Sequence, residues 1–287
     1  MAAGIDPRTR IGAVRLAVRD LDAVRGFYER SIGLRELEGS EAQVARLGAD
    51  GGPALVELES APDAPPRPPG TTGLFHLAIL VPSRSDLAAA LRRVGDSDWR
   101  FTGASDHLVS EALYLNDPEG NGIEIYRDRP REEWDWVGDQ VRMATIPLDV
   151  QGVLSALDGA DPGAPMPDPT RIGHVHLNVA ELDGTEGFYG PEGLGLDVTV
   201  RDYPGALFMS AGGYHHHVGA NTWAGEGAPR PPLGALGLSR YEIVVPDSGE
   251  LDAVQRRLSD AGADVHRDDD SLLTGDPSGI PVQFVTA

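Results

Sequence analysis

The chain has 287 residues, a length that corresponds to about two domains of ordinary size, and it carries 45 acidic against 24 basic side chains for a formal net charge of −21. So negative a surface repels nucleic acid phosphates and anionic lipid, which argues against both as partners. There is no cysteine, which excludes a disulfide framework, a thiolate zinc site and a cysteine nucleophile together.

No apolar stretch approaches the roughly 18 residues needed to span a bilayer. The opening Met1-Ala2-Ala3-Gly4-Ile5-Asp6 lacks a basic and then apolar leader pattern, so a cytoplasmic protein with no membrane partner is expected. Glycine and proline are dispersed along the chain, as short elements joined by tight connections require.

In chain order, the first element is the alternating run Arg10 to Val18, followed by an Asp/Glu-Leu-Asp type helix start and a Gly-Phe-Tyr, ending near Gly33-Leu34. The run Arg171 to Val179 repeats this pattern at the same spacing and ends near Gly195-Leu196, an internal repeat of about 25 residues. A second pair matches more weakly. Leu74 to Pro82 with a helix at Asp86 to Leu91 resembles Leu238 to Pro246 with a helix at Glu250 to Val254. Asp117-Pro118-Glu119-Gly120 before Ile123-Glu124-Ile125 resembles Asp276-Pro277-Ser278-Gly279 before Val282-Gln283-Phe284.

Each unit opens with an alternating strand, passes through an amphipathic helix and closes with short strands, which predicts an α+β protein of four βαβββ units. The expected division is residues 1–130 for units one and two, 131–170 for a linker and docking arm that includes a proline-rich stretch, and 171–287 for units three and four.

Seven of the eight histidines fall in three places: His174 and His176, the triple His215-His216-His217, and His76 with His107 ahead of Glu124. Imidazoles with one carboxylate on rigid strands suit a divalent iron or manganese that keeps coordination positions open. Glu124 lies in an apolar strand, where an unpaired charge would cost several kcal/mol, and a metal would supply its partner. Gly51-Gly52 and Gly212-Gly213 read as hairpin turns, and no phosphate-binding fingerprint follows them. His266 lies in an acidic surface run.

The paired units, the segment Gly213 to Trp223, and Asp117 to Tyr126 resemble the vicinal oxygen chelate (glyoxalase, bleomycin resistance and dioxygenase) superfamily. Within it the chain is similar to the two-domain catechol 2,3-dioxygenase type of bacilli, over essentially its whole length. The resemblance implies cupped-sheet barrels built from two units each, and extradiol cleavage of a small catechol-type aromatic with O2 and Fe(II), or Mn(II). It places the metal ligands at His76, Glu124 and His174, the acid/base histidine at His217, and substrate-oxygen contacts at Tyr114 and His107. Alternation along a strand puts His174 and His176 on one face, and in the triple puts His215 and His217 on one face and His216 on the other, so His176 and His215 are weaker candidates for the substrate pocket and His216 is expected to be structural.

The positions equivalent to the ligands in units one and four are Ala13, Arg240 and Gln283, which cannot hold a metal. Pairing unit two with three and one with four therefore gathers one complete triad, within one chain or, by swapping, between the chains of a homodimer. A glyoxalase-type isomerase or lyase, with His217 as a fourth metal ligand, and a non-enzymatic antibiotic-binding protein are the alternatives the resemblance leaves.

Overall fold

A computed structural model describes residues 4–287 and places the strands in two large sheets and a small ribbon. The nine-stranded sheet runs, edge to edge, Ile146–Pro147, Phe101–Asp106, Ser110–Asn116, Gly122–Asp128, Gly73–Leu80, Arg171–Asn178, Val218–Asn221, Ala206–Ser210 and Asp197–Tyr203. It thus contains all the strands of units two and three. The eight-stranded sheet is assembled from units four and one, with Gly237–Val245 beside Arg10–Val18 at its centre. The chain-order division at residues 130 and 170 consequently cuts across both sheets.

The same pairing rule operates in every unit. The first strand lies parallel to the last strand of its own unit, as Gly73–Leu80 does to Gly122–Asp128, and antiparallel to the first strand of the partner unit, Arg171–Asn178. Curled in this way, each sheet forms a half-barrel, the fold of a two-domain vicinal oxygen chelate protein.

Helices close the outer faces. Arg84–Asp96 starts at Ser83, whose hydroxyl accepts from the Asp86 amide, and buries Leu87, Ala90 and Val94 at helical spacing. Ser248–Asp260 starts in the same way at Asp247 and buries Leu251, Val254 and Leu258. The main core is continuous across the two sheets, joining Leu16, Leu77, Ile79, Val175 and Tyr241. Strands Arg10–Val18 and Arg171–Asn178 pack directly across it.

The connector is held on both sides. Arg93 donates to the carbonyls of Ile32 and Pro162 at 2.9 Å each, and the Met166 amide donates to Gly33 at 2.8 Å. Trp134 is buried and its ring lies 5.3 Å from that of His215. No helix of the described residues is long and apolar enough to cross a membrane.

Candidate metal centre

Three neighbouring strands present the candidate ligand set. In register, Glu124 stands opposite Ala78 and Ala78 opposite His174, while His76 stands opposite His176 one pleat away. Side chains two residues apart on a strand share a face, so His174 and His176 both point into the half-barrel with His76 and Glu124. Ala78 between Glu124 and His174 is fully buried and small, which leaves the space above it to the converging side chains.

His76 Nε2 lies 3.0 Å and His174 Nε2 3.2 Å from the same oxygen, Glu124 Oε2. Adjacent ligands of one first-row ion at bond lengths near 2.1 Å are separated by about 3 Å, so the donor set and its spacing fit a single ion. Two further observations agree. His76 Nε2 is buried without a properly directed hydrogen bond, and His76, Glu124 and His174 form the one convergent cluster of potential ligands among the described residues.

The electrostatics favour the ligating protonation states. Burial lowers the His174 pKa to about 4 against the opposing pull of Glu124, which keeps the imidazole neutral. Burial alone would raise Glu124, but the two histidines outweigh it and hold the carboxyl well below the usual range.

The cluster forms part of the wall of a cavity of about 520 Å³. His176 lines it and is held well below its ordinary pKa, first by burial and then by His76 and His174. Across the cavity, His107 Nδ1 donates to the Ala144 carbonyl at 2.8 Å, so its Nε2 accepts from the Tyr114 hydroxyl at 2.6 Å. Burial and the Glu124 charge hold the Tyr114 phenol well above its normal pKa. Phe75 and Trp223, their rings 5.3 Å apart and both partly exposed, stand where the cavity opens, with Phe208 and Tyr203 deeper. These four aromatics carried no periodic or spacing signal that marks them as lining residues in the sequence.

The histidine triple differs from the expectation. His216, expected to be structural, lines the cavity, and its ring centroid lies 4.0 Å from that of His174. His217, expected to act on substrate, faces away. It accepts the Ala211 amide at Nδ1 and lines a separate pocket of about 250 Å³. His215, expected beside the substrate, is fully buried outside the cavity lining and contacts Asp128.

The physical reason is local. Strand alternation was assumed through the triple, but the strand begins only at Val218, and residues 211–217 form a loop that includes Gly212 and Gly213 at φ of 63° and 66°. Side-chain direction there is set by turns rather than by a pleat.

Two members of the triple, His215 and His216, also form a hydrogen-bonded chain with Asp128. Asp128 Oδ1 accepts from the Tyr214 hydroxyl at 3.1 Å and lies 2.9 Å from His215 Nε2, while His215 Nδ1 lies 2.7 Å from His216 Nδ1. A carboxylate only accepts, so His215 carries its proton on Nε2 and accepts at Nδ1 from His216 Nδ1–H. That leaves His216 Nε2 as the unprotonated nitrogen. Burial and the neighbouring histidines keep His216 well below its ordinary pKa.

In the other half-barrel, Ala13, Arg240 and Gln283 stand at the equivalent positions and form no ligand cluster. Ala13 offers a backbone amide to Glu242 at 3.1 Å, and Arg240 lies 3.7 Å from Glu57, which Arg15 holds at 2.8 Å.

Comparison with known proteins agrees with this geometry. The model of the Glyoxalase/Bleomycin resistance protein/Dioxygenase superfamily matches residues 10–125. The chain is 44% identical over 283 residues, 96% of its length and 97% of the relative's, to the protein named catechol-2,3-dioxygenase of Bacillus subtilis (strain 168). It is 33% identical over 86 residues, 29% of its length and 45% of the relative's, to biphenyl-2,3-diol 1,2-dioxygenase 3 of Rhodococcus globerulus. Among solved structures, glyoxalase I of Zea mays shares the fold at a TM-score of 0.60 and 18% identity, covering 97% of this chain and 92% of that one. With near-complete coverage of a relative at this identity and the characteristic half-barrel site, the chain belongs to the Glyoxalase/Bleomycin resistance protein/Dioxygenase superfamily.

Proposed function

We propose that the chain is an extradiol ring-cleaving dioxygenase that acts on catechol-type aromatics with Fe(II) and O2. The observation that carries this reading is the convergence of two imidazoles and one carboxylate on the wall of a 520 Å³ cavity, with His216, His176, His107, Tyr114 and Tyr203 lining the same space. The near full-length similarity to a protein named catechol-2,3-dioxygenase supports it.

His76, Glu124 and His174 would hold the iron as a facial set that leaves positions for substrate and oxygen. The ion, when bound, supplies Lewis acidity toward the catechol oxygens and the electron chemistry of dioxygen. The remaining work belongs to the protein. Phe75, Phe208 and Trp223 offer aromatic faces to the ring. His216 Nε2 takes a proton from the substrate and later returns it to the product oxygens, a role open to a neutral imidazole with a defined tautomer. Tyr114 gives its one hydroxyl proton to His107 Nε2, so its oxygen accepts from a substrate hydroxyl, and its raised pKa keeps it a neutral phenol.

The isomerase alternative required His217 as a fourth ligand, and His217 opens to a different pocket from the triad. The test is metal analysis of protein purified without oxygen, paired with oxygen uptake on catechols. Wild type is expected to hold about one iron per chain and to consume oxygen, while Glu124→Ala loses the metal and at least about a thousandfold in rate. Stoichiometric metal with no oxygen uptake on any catechol, and turnover of an α-hydroxy-thiol adduct under nitrogen, would select the isomerase reading instead.

A further inference from the structure

We propose that the pocket on the far side of the histidine triple is a binding site for a small phosphate-type dianion. It is lined by the side chains of Thr9, Arg10, Arg131, Arg171 and His217, and its lining contains no carboxylate. In a chain with 45 acidic and 24 basic residues, guanidinium groups are expected to find acidic neighbours, as Arg84, Arg127 and Arg129 do around Glu111. Arg10, Arg131 and Arg171 instead stand without an ion-pair partner among the described residues. Arg131 has only the Gly212 carbonyl at 3.3 Å and the ring faces of Trp134 and Tyr214, at 5.4 and 5.8 Å.

The floor of the pocket points the same way. Thr9 is 4% exposed, and its hydroxyl oxygen is buried with no hydrogen-bond partner. His217 receives the Ala211 amide at Nδ1, so the neutral ring carries its proton on Nε2 and offers a donor. Burial, with the charges of Arg171 and Arg131 adding to it, keeps that ring from becoming a fourth cation.

A lining that brings three cations together with no carboxylate selects an anion. The volume, about 250 Å³, is below the range of roughly 300–1,000 Å³ usual for larger organic ligands, which selects a small one. Planar guanidinium forks match oxyanions by paired N–H···O bonds, and three cations favour a dianion over a single carboxylate.

The site lies at a seam. Arg10 opens a central strand of the eight-stranded sheet, Arg171 opens a central strand of the nine-stranded sheet, and Arg131 comes from the connector. An anion held there ties both sheets to the loop that carries His216. The proposal is independent of the reaction run in the large cavity.

The test is calorimetric titration of the metal-loaded protein with potassium phosphate and, separately, with glycerol phosphate. Binding with a dissociation constant of about 1 mM or below is expected for at least one. The Arg131→Ala, Arg171→Ala double variant should weaken it at least tenfold, and Glu124→Ala should leave it within about twofold. The rim pair Arg10→Ala, Arg131→Ala gives a second variant at exposed positions, expected to show the same loss. Tighter binding of phosphate assigns the site to the free ion, and tighter binding of the ester to a phosphomonoester group. Absence of binding by both, unchanged binding in both double variants, or loss in Glu124→Ala, which would place the phosphate on the metal, overturns the proposal.

Discussion

Glu124 is 2% exposed in the middle of an apolar strand, and its oxygen is shared between two imidazoles that are themselves buried. Burying such a charge without compensation costs several kcal/mol, so the residues around it are selected to answer it. His216 is the residue on which the proposed proton transfer turns. His216→Asn is expected to keep the iron and lose roughly 10²–10⁴-fold in kcat, measured as ring-cleavage rate per bound iron; a near wild-type kcat would remove it from the reaction. Asp128 acts through His215 as a positioning residue. Asp128→Asn is expected to lower kcat by roughly tenfold with KM little changed, and to alter the ¹⁵N shifts of the His216 ring as its tautomer is released. Unchanged shifts would mean that Asp128 does not set that tautomer.

At the scale of the elements, the site depends on how closely three strands approach. Gly173 precedes the proposed ligand His174 at an irregularity in pairing with Gly73–Leu80, and a Cβ built there would stand 1.8 Å from the Tyr126 hydroxyl oxygen. That hydroxyl lies 2.7 Å from the Tyr214 hydroxyl, and the Tyr126 ring is 5.0 Å from that of His174. Gly173→Ala is therefore expected to destabilise the protein by about 1–3 kcal/mol through overpacking and to weaken iron binding, with partial recovery in the Gly173→Ala, Tyr126→Phe double variant. Thermal unfolding and metal content check both parts. An unaffected single variant would mean that the strands separate at little cost.

The elements also mark how far sequence reading reaches. The repeat Arg10 to Val18 against Arg171 to Val179, with the Asp-Pro-x-Gly turns before the last strands, was legible because period and turn chemistry are local. The same period placed His174 and His176 on one face. It misdirected the reading of His215-His216-His217, because those residues precede their strand, and a glycine-rich loop obeys no two-residue alternation. Phe208, Tyr203 and Trp223 were not legible as cavity residues, since an aromatic in a strand or loop has the same local signature whether it meets core or substrate.

Across the whole molecule, the buried histidines make stability depend on pH. His174 and His217 have folded pKa values lowered to about 4 and about 3, from 6.5, and His176 and His216 shift in the same direction. The unfolded chain then binds more protons than the folded one once pH drops below about 6.5, so stability is full above that value and is lost as pH falls toward the folded pKa values, at up to about 1.4 kcal/mol per unit of pH for each group. The metal-free protein is expected to show a steep fall in Tm between pH 7.5 and 5, measured by calorimetry. Because only the neutral imidazoles and the carboxylate ligate, added iron should raise Tm at pH 7.5 and lose that effect at pH 5. A flat metal-free profile would show that these rings are hydrated in solution.

The amino-acid sequence by itself determined the four repeated units, the acidic surface and the ligand types, because each rests on composition or on patterns within a few tens of residues. It also placed the proposed ligands in different halves of the chain, His76 and Glu124 in one and His174 in the other. Only the tertiary structure decided that Gly73–Leu80 and Arg171–Asn178 lie side by side, that His216 rather than His217 shares their cavity, and that three arginines from separate segments surround a second pocket. Contacts between residues distant in sequence depend on how sheets curl and pack, and side-chain direction in a loop depends on its turns; neither is written in local periodicity.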